Sequence, residues 1–172
     1  MNLYPAINDT DNKQGKPDAP LTLVEYGDYE CPHCGAAHPI IKRLQKHFGN
    51  KLLFVFRNFP LAQIHPNALH AAYTAEAAGK QKKFWPVHDL IFENQERLAT
   101  RDLLQYAELA GADIKLLMAY MSAPFIVDKV EDDIESGARS GVNGTPTFFI
   151  NGKRHDGNYS FDVLKDAMER LL

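Results

Sequence analysis

From Leu21 to Phe59 the apolar pattern changes period twice, and that change restricts the chain to a small set of folds. Leu21-Thr22-Leu23-Val24-Glu25-Tyr26 is an apolar, strand-like run. Cys34, Ala37, Ile41, Leu44 and Phe48 then follow a stripe of about 3.6 residues per turn. Gly49 is placed to end that helix, and Pro39 lies inside it, where it should kink it. Lys51 to Phe59 is apolar at nearly every position, as expected of a strand covered on both faces. Strand, helix, strand predicts a right-handed parallel crossover.

The rest of the chain divides at two further changes of pattern. Residues 65–140 read as an all-helical insertion: helices from Ala68 to Gly79, around Phe84 to Phe92, from Thr100 to Gly111, after an Asp113 cap, and from Pro124 onward. Thr147-Phe148-Phe149-Ile150 returns to strand character, and Asn151-Gly152 is a strong hairpin signal. Ser160 caps a last helix with Phe161, Leu164, Ala167, Met168 and Leu171 on one side. The expectation is an α/β domain made of residues 21–64 and 141–172, with a mixed four-stranded sheet flanked by helices. Residues 1–20, polar and rich in Lys, Gly and Pro toward their end, read as an exposed lead-in.

Immediately after the first strand come the only two cysteines of the chain, in Cys31-Pro32-His33-Cys34. If a helix opens at Cys31, Pro32 sits in its first turn, where a missing N–H costs nothing, and both sulfurs lie near one face. The positive end of the helix dipole and its orphan N–H groups favour the Cys31 thiolate, with His33 available as a cationic neighbour. Cys34, one turn inside, is the shielded partner that closes or opens the disulfide. A closed zinc site wants four ligands, and there is no second cysteine pair, so no metal is expected. A bridge across two intervening residues closes too small a loop to be mainly structural.

Charge and length exclude other classes. The 172 residues are 45% apolar and 24% charged, with net charge −3, and no basic cluster is interleaved with aromatics, so nucleic acid is not an expected partner. The apolar run Leu52 to Phe56, like every other in the chain, falls far below the roughly 20 residues needed to span a bilayer. Met1 to Thr10 lacks a basic start, an apolar stretch and a small-residue cleavage site. A cytoplasmic location is therefore expected, or a periplasmic or secreted one if an export signal has been removed.

The strand, the CxxC at the head of a helix interrupted by Pro39, the second strand, the helical insertion and the later Thr145-Pro146 before a hairpin together resemble the DsbA family of thiol-disulfide oxidoreductases, with its thioredoxin fold. The resemblance runs from Leu21 to Leu172. It implies that Glu25 matches a buried acidic residue behind the active-site disulfide, that Pro146 matches a cis-proline beside it, and that Thr145 precedes that proline on a substrate-binding platform. From the residues alone, Glu25 pointing to solvent and a trans Pro146 at a strand start stay open. Members exported from the cell commonly carry valine where this chain has Thr145, so the direction of electron flow stays open too.

The expected activity is thiol-disulfide exchange with protein or low-molecular-weight thiol partners and an unidentified redox partner, by a monomer without a cofactor. Cys31 forms the mixed disulfide, Cys34 resolves it, and Glu25 assists proton transfer. Two alternatives remain at this point: a glutathione-dependent isomerase or transferase of the same fold, and a metal-binding protein using Cys31, Cys34 and a histidine.

Overall fold

The computed structural model describes all residues, Met1–Leu172. Its elements are β1 (Asn12–Gly15), β2 (Leu21–Gly27), α1 (Pro32–Phe48), β3 (Leu52–Asn58), α2 (Ala68–Gly79), α3 (Phe84–Glu93), α4 (Thr100–Leu109), α5 (Ile114–Met121), α6 (Pro124–Arg139), β4 (Thr147–Ile150), β5 (Lys153–His155) and α7 (Phe161–Glu169). The strands form one sheet in the order β1-β3-β2-β4-β5. β2 and β3 are parallel across the α1 crossover, and β4 runs antiparallel to β2 and to β5. The chain thus has a thioredoxin fold, with five helices, α2–α6, between β3 and β4. None of its helices is long and apolar enough to cross a membrane.

The sheet has five strands rather than the expected four, because β1 lies inside the polar lead-in and pairs antiparallel with β3. Its sequence, Asn12-Lys13-Gln14-Gly15, has no apolar alternation, since it needs only to complete an edge and buries little. Gly15 has φ +117°, and a Cβ there would run into the Leu52 carbonyl of β3, so the close approach requires glycine.

The lead-in is not exposed throughout. Arg154 N–H donates to the Met1 carbonyl, Leu3 N–H donates to the Gly152 carbonyl, and Tyr4 N–H donates to Ser140 Oγ, which in turn donates to the Tyr4 carbonyl. This segment straps the back of the sheet.

Both faces of the central strands are therefore covered, and period-two alternation sorts their side chains into two cores. Leu21, Leu23, Phe54, Phe56, Phe148 and Ile150 join the main core with α1 and the helical insertion. Val24, Tyr26, Leu53, Val55 and Phe149 form a smaller core beneath Leu3, Ile7 and Val142. Glu25 shares parity with Leu21 and Leu23 and is 1% exposed, so the solvent-facing alternative fails.

Arg57 shares parity with Leu53 and Val55 and is buried on the smaller-core side. All five of its N–H donors are used. Nε and Nη2 reach the Asp11 carboxylate at 2.7 and 2.9 Å, and the others reach the Tyr26 hydroxyl and the Pro5 and Ala6 carbonyls.

Candidate active site

The turn between β2 and α1 presents the two sulfurs. Cys31 is the N-cap of α1 with extended backbone, Pro32 opens the helix, and no acidic residue occupies the first turn to oppose the dipole. Both cysteines are free thiols. Cys31 keeps 5% of its surface while Cys34 has none, so a partner sulfur can reach only the first of the pair.

Their acidities are displaced in opposite directions. The Cys31 thiol is lowered to about 5, chiefly because the Cys34 side chain donates to its sulfur. Burial opposes this, and Thr145 together with the backbone N–H groups of Cys34 and His33 adds to it. Cys34 is raised well above its ordinary range by burial, by donating to Cys31, and by the nearby Glu25 charge. Asp28 N–H donates to its sulfur at 3.4 Å.

Glu25 is raised to about 8, first by burial and then by the Cys31 charge. Its Oε1 is buried without a hydrogen-bond partner. A buried carboxyl beside the two thiols, with one oxygen unpartnered, is a group that can take or give a proton there.

The remaining expected residues lie around Cys31. The Thr145–Pro146 peptide is cis and leads into β4. Cys31 Sγ is 3.5 Å from the Thr145 carbonyl oxygen, and the Thr145 hydroxyl, with no other partner, is available to donate to the thiolate. Pro32 and His33 are exposed. The His33 imidazole lies against the Tyr159 hydroxyl at 3.4 Å, so the contribution of this residue to the Cys31 sulfur comes through its backbone N–H.

Three residues of the site escape sequence reasoning. Asp28 Oδ1 accepts the N–H groups of Glu30 and Cys31, and Asp28 Oδ2 accepts Leu61 N–H and His65 Nδ1. An Asp three residues before a helix-capping position is a turn-forming signal that the sequence does carry. His65 and Gln95 have no local signal, because they arrive from distant loops. Gln95 Nε2 donates to the carbonyls of both Tyr29 and Cys31 at 2.9 Å.

Gly35 allows that approach, since a Cβ there would overlap the Gln95 amide. Gln95→Ala is expected to lose about 1–2 kcal/mol, measured by denaturant unfolding. An unchanged unfolding midpoint would show that the clamp contributes nothing.

A metal site on the two cysteines and a histidine loses its third ligand. The group whose ligand atoms converge, His38, His88 and Asp89, includes neither sulfur.

A family model described as Thioredoxin matches residues 8–170. Among solved structures, the chain superposes on a thioredoxin-like oxidoreductase from Silicibacter pomeroyi with TM-score 0.85 and 26% identity, covering 95% of this chain and 92% of that one. BdbD from Bacillus subtilis gives TM-score 0.85 and 26% identity over 94% of this chain and 92% of its own. Wolbachia pipientis alpha-DsbA1 shares the fold, with TM-score 0.83, 22% identity and coverage of 97% and 93%.

Curated relatives include a Na(+)/H(+) antiporter NhaA 1 of Salinispora arenicola, 41% identical over 166 residues, which are 96% of this chain and 25% of that protein. Another is a Na(+)/H(+) antiporter NhaA 1 of Mycolicibacterium gilvum, 41% identical over 97% of this chain and 27% of its own length. The chain thus spans about a quarter of the curated relatives it matches. These relatives are membrane proteins, which overturns the expected cytoplasmic location. The matched region, the superpositions and the paired cysteines at the head of α1 converge, and the chain belongs to the thioredoxin family as a DsbA-like member whose Cys31-Cys34 pair supports thiol-disulfide exchange.

Proposed function

We propose that the domain exchanges its Cys31-Cys34 dithiol and disulfide with protein or low-molecular-weight partners through a mixed disulfide at Cys31. The observation that carries this reading is the placement of the two thiols, Cys31 at the head of α1 with part of its surface open and Cys34 fully buried one turn inside, which lowers the first thiol to about 5 and pushes the second up.

In the reducing direction, the Cys31 thiolate attacks one sulfur of a partner disulfide. A Cys31–partner bond forms, the partner disulfide breaks, and the leaving thiolate takes up a proton from water. Cys34 then gives its proton to Glu25, whose carboxylate is half ionised near pH 8, and attacks the Cys31 sulfur. The intramolecular disulfide forms, the second partner thiolate leaves, and two electrons have passed to the partner. In the oxidising direction the same steps run backward. Release of the Cys31 thiolate is then favoured by its low basicity, since low-pKa thiols leave faster. Thr145 and Pro146 border the attacked sulfur, and an extended partner segment is expected to lie along the backbone there.

Cys34→Ser is expected to accumulate a covalent mixed disulfide with a cysteine-containing peptide disulfide, seen as added mass that dithiothreitol removes. Cys31→Ser should form no adduct at Cys34. Full turnover by Cys34→Ser with glutathione would contradict the two-cysteine reading and favour the glutathione-dependent alternative.

A further inference from the structure

We propose that Asp28 and His65 form a positioning pair for the exchange reaction: Asp28 fixes the turn that presents Cys31, and His65, carrying a proton, cancels the Asp28 charge that would otherwise oppose the Cys31 thiolate. The inference rests on the exchange reading of Cys31 given above.

Asp28 is a junction between the sulfurs and the loop that follows β3. Its side chain has no exposed surface, and its two oxygens accept four bonds. Two come from Glu30 N–H at 2.8 Å and Cys31 N–H at 3.2 Å, which shape the turn entering α1. Two come from the other side, Leu61 N–H at 2.8 Å and His65 Nδ1 at 2.7 Å. The backbone N–H of the same residue donates to the Cys34 sulfur. One residue therefore touches the backbone of the first cysteine, the sulfur of the second and the 61–65 loop. That loop is closed on itself by Ile64 and His65 N–H groups bonding to the Leu61 carbonyl.

A carboxylate in this place has a cost as well as a use. Its negative charge, buried one hydrogen bond from Cys31 N–H, disfavours a second negative charge on the Cys31 sulfur. The protonated His65 ring removes that penalty, because the pair is then neutral. When His65 is neutral, the Asp28 carboxylate faces the thiolate uncompensated.

The groups facing His65 are Asp28, Cys31 and Glu30, whose carboxylate is engaged by Asn67 N–H and Nδ2. Burial of the ring works against its proton, but the Asp28 bond and the charges of Asp28, Cys31 and Glu30 outweigh it and raise the ring above its ordinary value. This fills the cationic role that sequence reasoning gave to His33, whose ring is exposed beside Tyr159.

Coupling between two titrating groups is reciprocal. If the His65 charge favours the Cys31 thiolate, the thiolate must favour the His65 proton by the same factor. Oxidation removes the thiolate and must release His65 toward its ordinary value.

The test follows the His65 ring by NMR across a pH titration of the wild-type protein, reduced and oxidised, alongside the ultraviolet thiolate absorbance of Cys31. The expected result is a higher His65 midpoint in the reduced protein. In His65→Gln, which keeps a side-chain N–H for Asp28, the Cys31 acid dissociation constant is expected to fall roughly threefold.

Identical His65 midpoints in the two redox states, with Cys31 still acidic and the disulfide still reversible, overturn this inference and leave the exchange reading standing. A Cys31 midpoint in the ordinary thiol range, or no reversible disulfide, overturns the exchange reading itself and this inference with it. The wild-type titration decides the matter even where the variant folds poorly.

Discussion

Glu25→Gln is expected to stabilise the protein at pH 7 by about 2–3 kcal/mol while slowing exchange about a hundredfold. The stability term follows from the sign of the displacement. The folded-state value of Glu25 is raised from 4.5 to about 8, so the native state holds a proton that the unfolded chain has released. Below pH 4.5 both states are protonated and the carboxyl costs nothing. From there to about pH 8 the native state loses stability relative to the unfolded one, because the carboxylate must either be desolvated or keep its proton against the solution.

Gln removes the ionisation and keeps the shape. The variant should therefore lose the Glu25-dependent decline in stability between pH 4.5 and 8, measured by denaturant unfolding at several pH values. The rate falls for the opposite reason: Gln cannot accept the proton of Cys34, whose own burial holds that proton tightly. Cys31 contributes with the reverse sign. Its folded value is depressed to about 5 from 9.0, so its stabilisation of the reduced protein is complete above about pH 9 and is lost as pH falls through 5. A Glu25→Gln protein with unchanged stability and unchanged exchange would remove Glu25 from the mechanism.

Asp11→Ala is expected to cost about 3–5 kcal/mol, far from the sulfurs, by leaving the Arg57 guanidinium buried without its carboxylate. Both side chains are 2% exposed, and the bidentate pair joins the strap before β1 to the middle of the sheet. For a domain of this size the loss corresponds to a fall in melting temperature of about 10 °C. Replacing both partners with apolar side chains of similar volume should recover most of the loss, since the penalty is that of an unpaired buried charge. A loss below about 1 kcal/mol in the single variant would mean that Arg57 finds water or another anion, and that the strap is not held by this pair.

What the sequence made legible depended on whether the information was local. The crossover β2–α1–β3 was readable because Leu21 to Tyr26 and Leu52 to Phe56 are apolar enough to be strands on composition alone, and Cys34 to Phe48 keeps helical spacing. The Asp113 cap was readable for the same reason, and its carboxylate accepts Leu116 N–H as the motif requires. β1 was hidden because an edge strand of Asn, Lys, Gln and Gly draws its hydrogen bonds from β3 and needs no apolar face.

At the site, the cysteines declare themselves, while the inward turn of Glu25 follows only once the lead-in is seen to cover the second face of the sheet. Asp28 left a turn signal before the motif. His65 and Gln95 left none, because loops 37 to 66 residues away bring them to the cysteine turn.

Equilibration of the Cys31-Cys34 pair against a glutathione series, with the Cys31 thiolate followed by ultraviolet absorbance across pH, decides whether the two sulfurs work as an exchange pair. The expected result is a reversible intramolecular disulfide and a thiolate that forms with a midpoint near 5. A pair that forms no reversible disulfide, or a Cys31 that ionises only near 9.0, would contradict it.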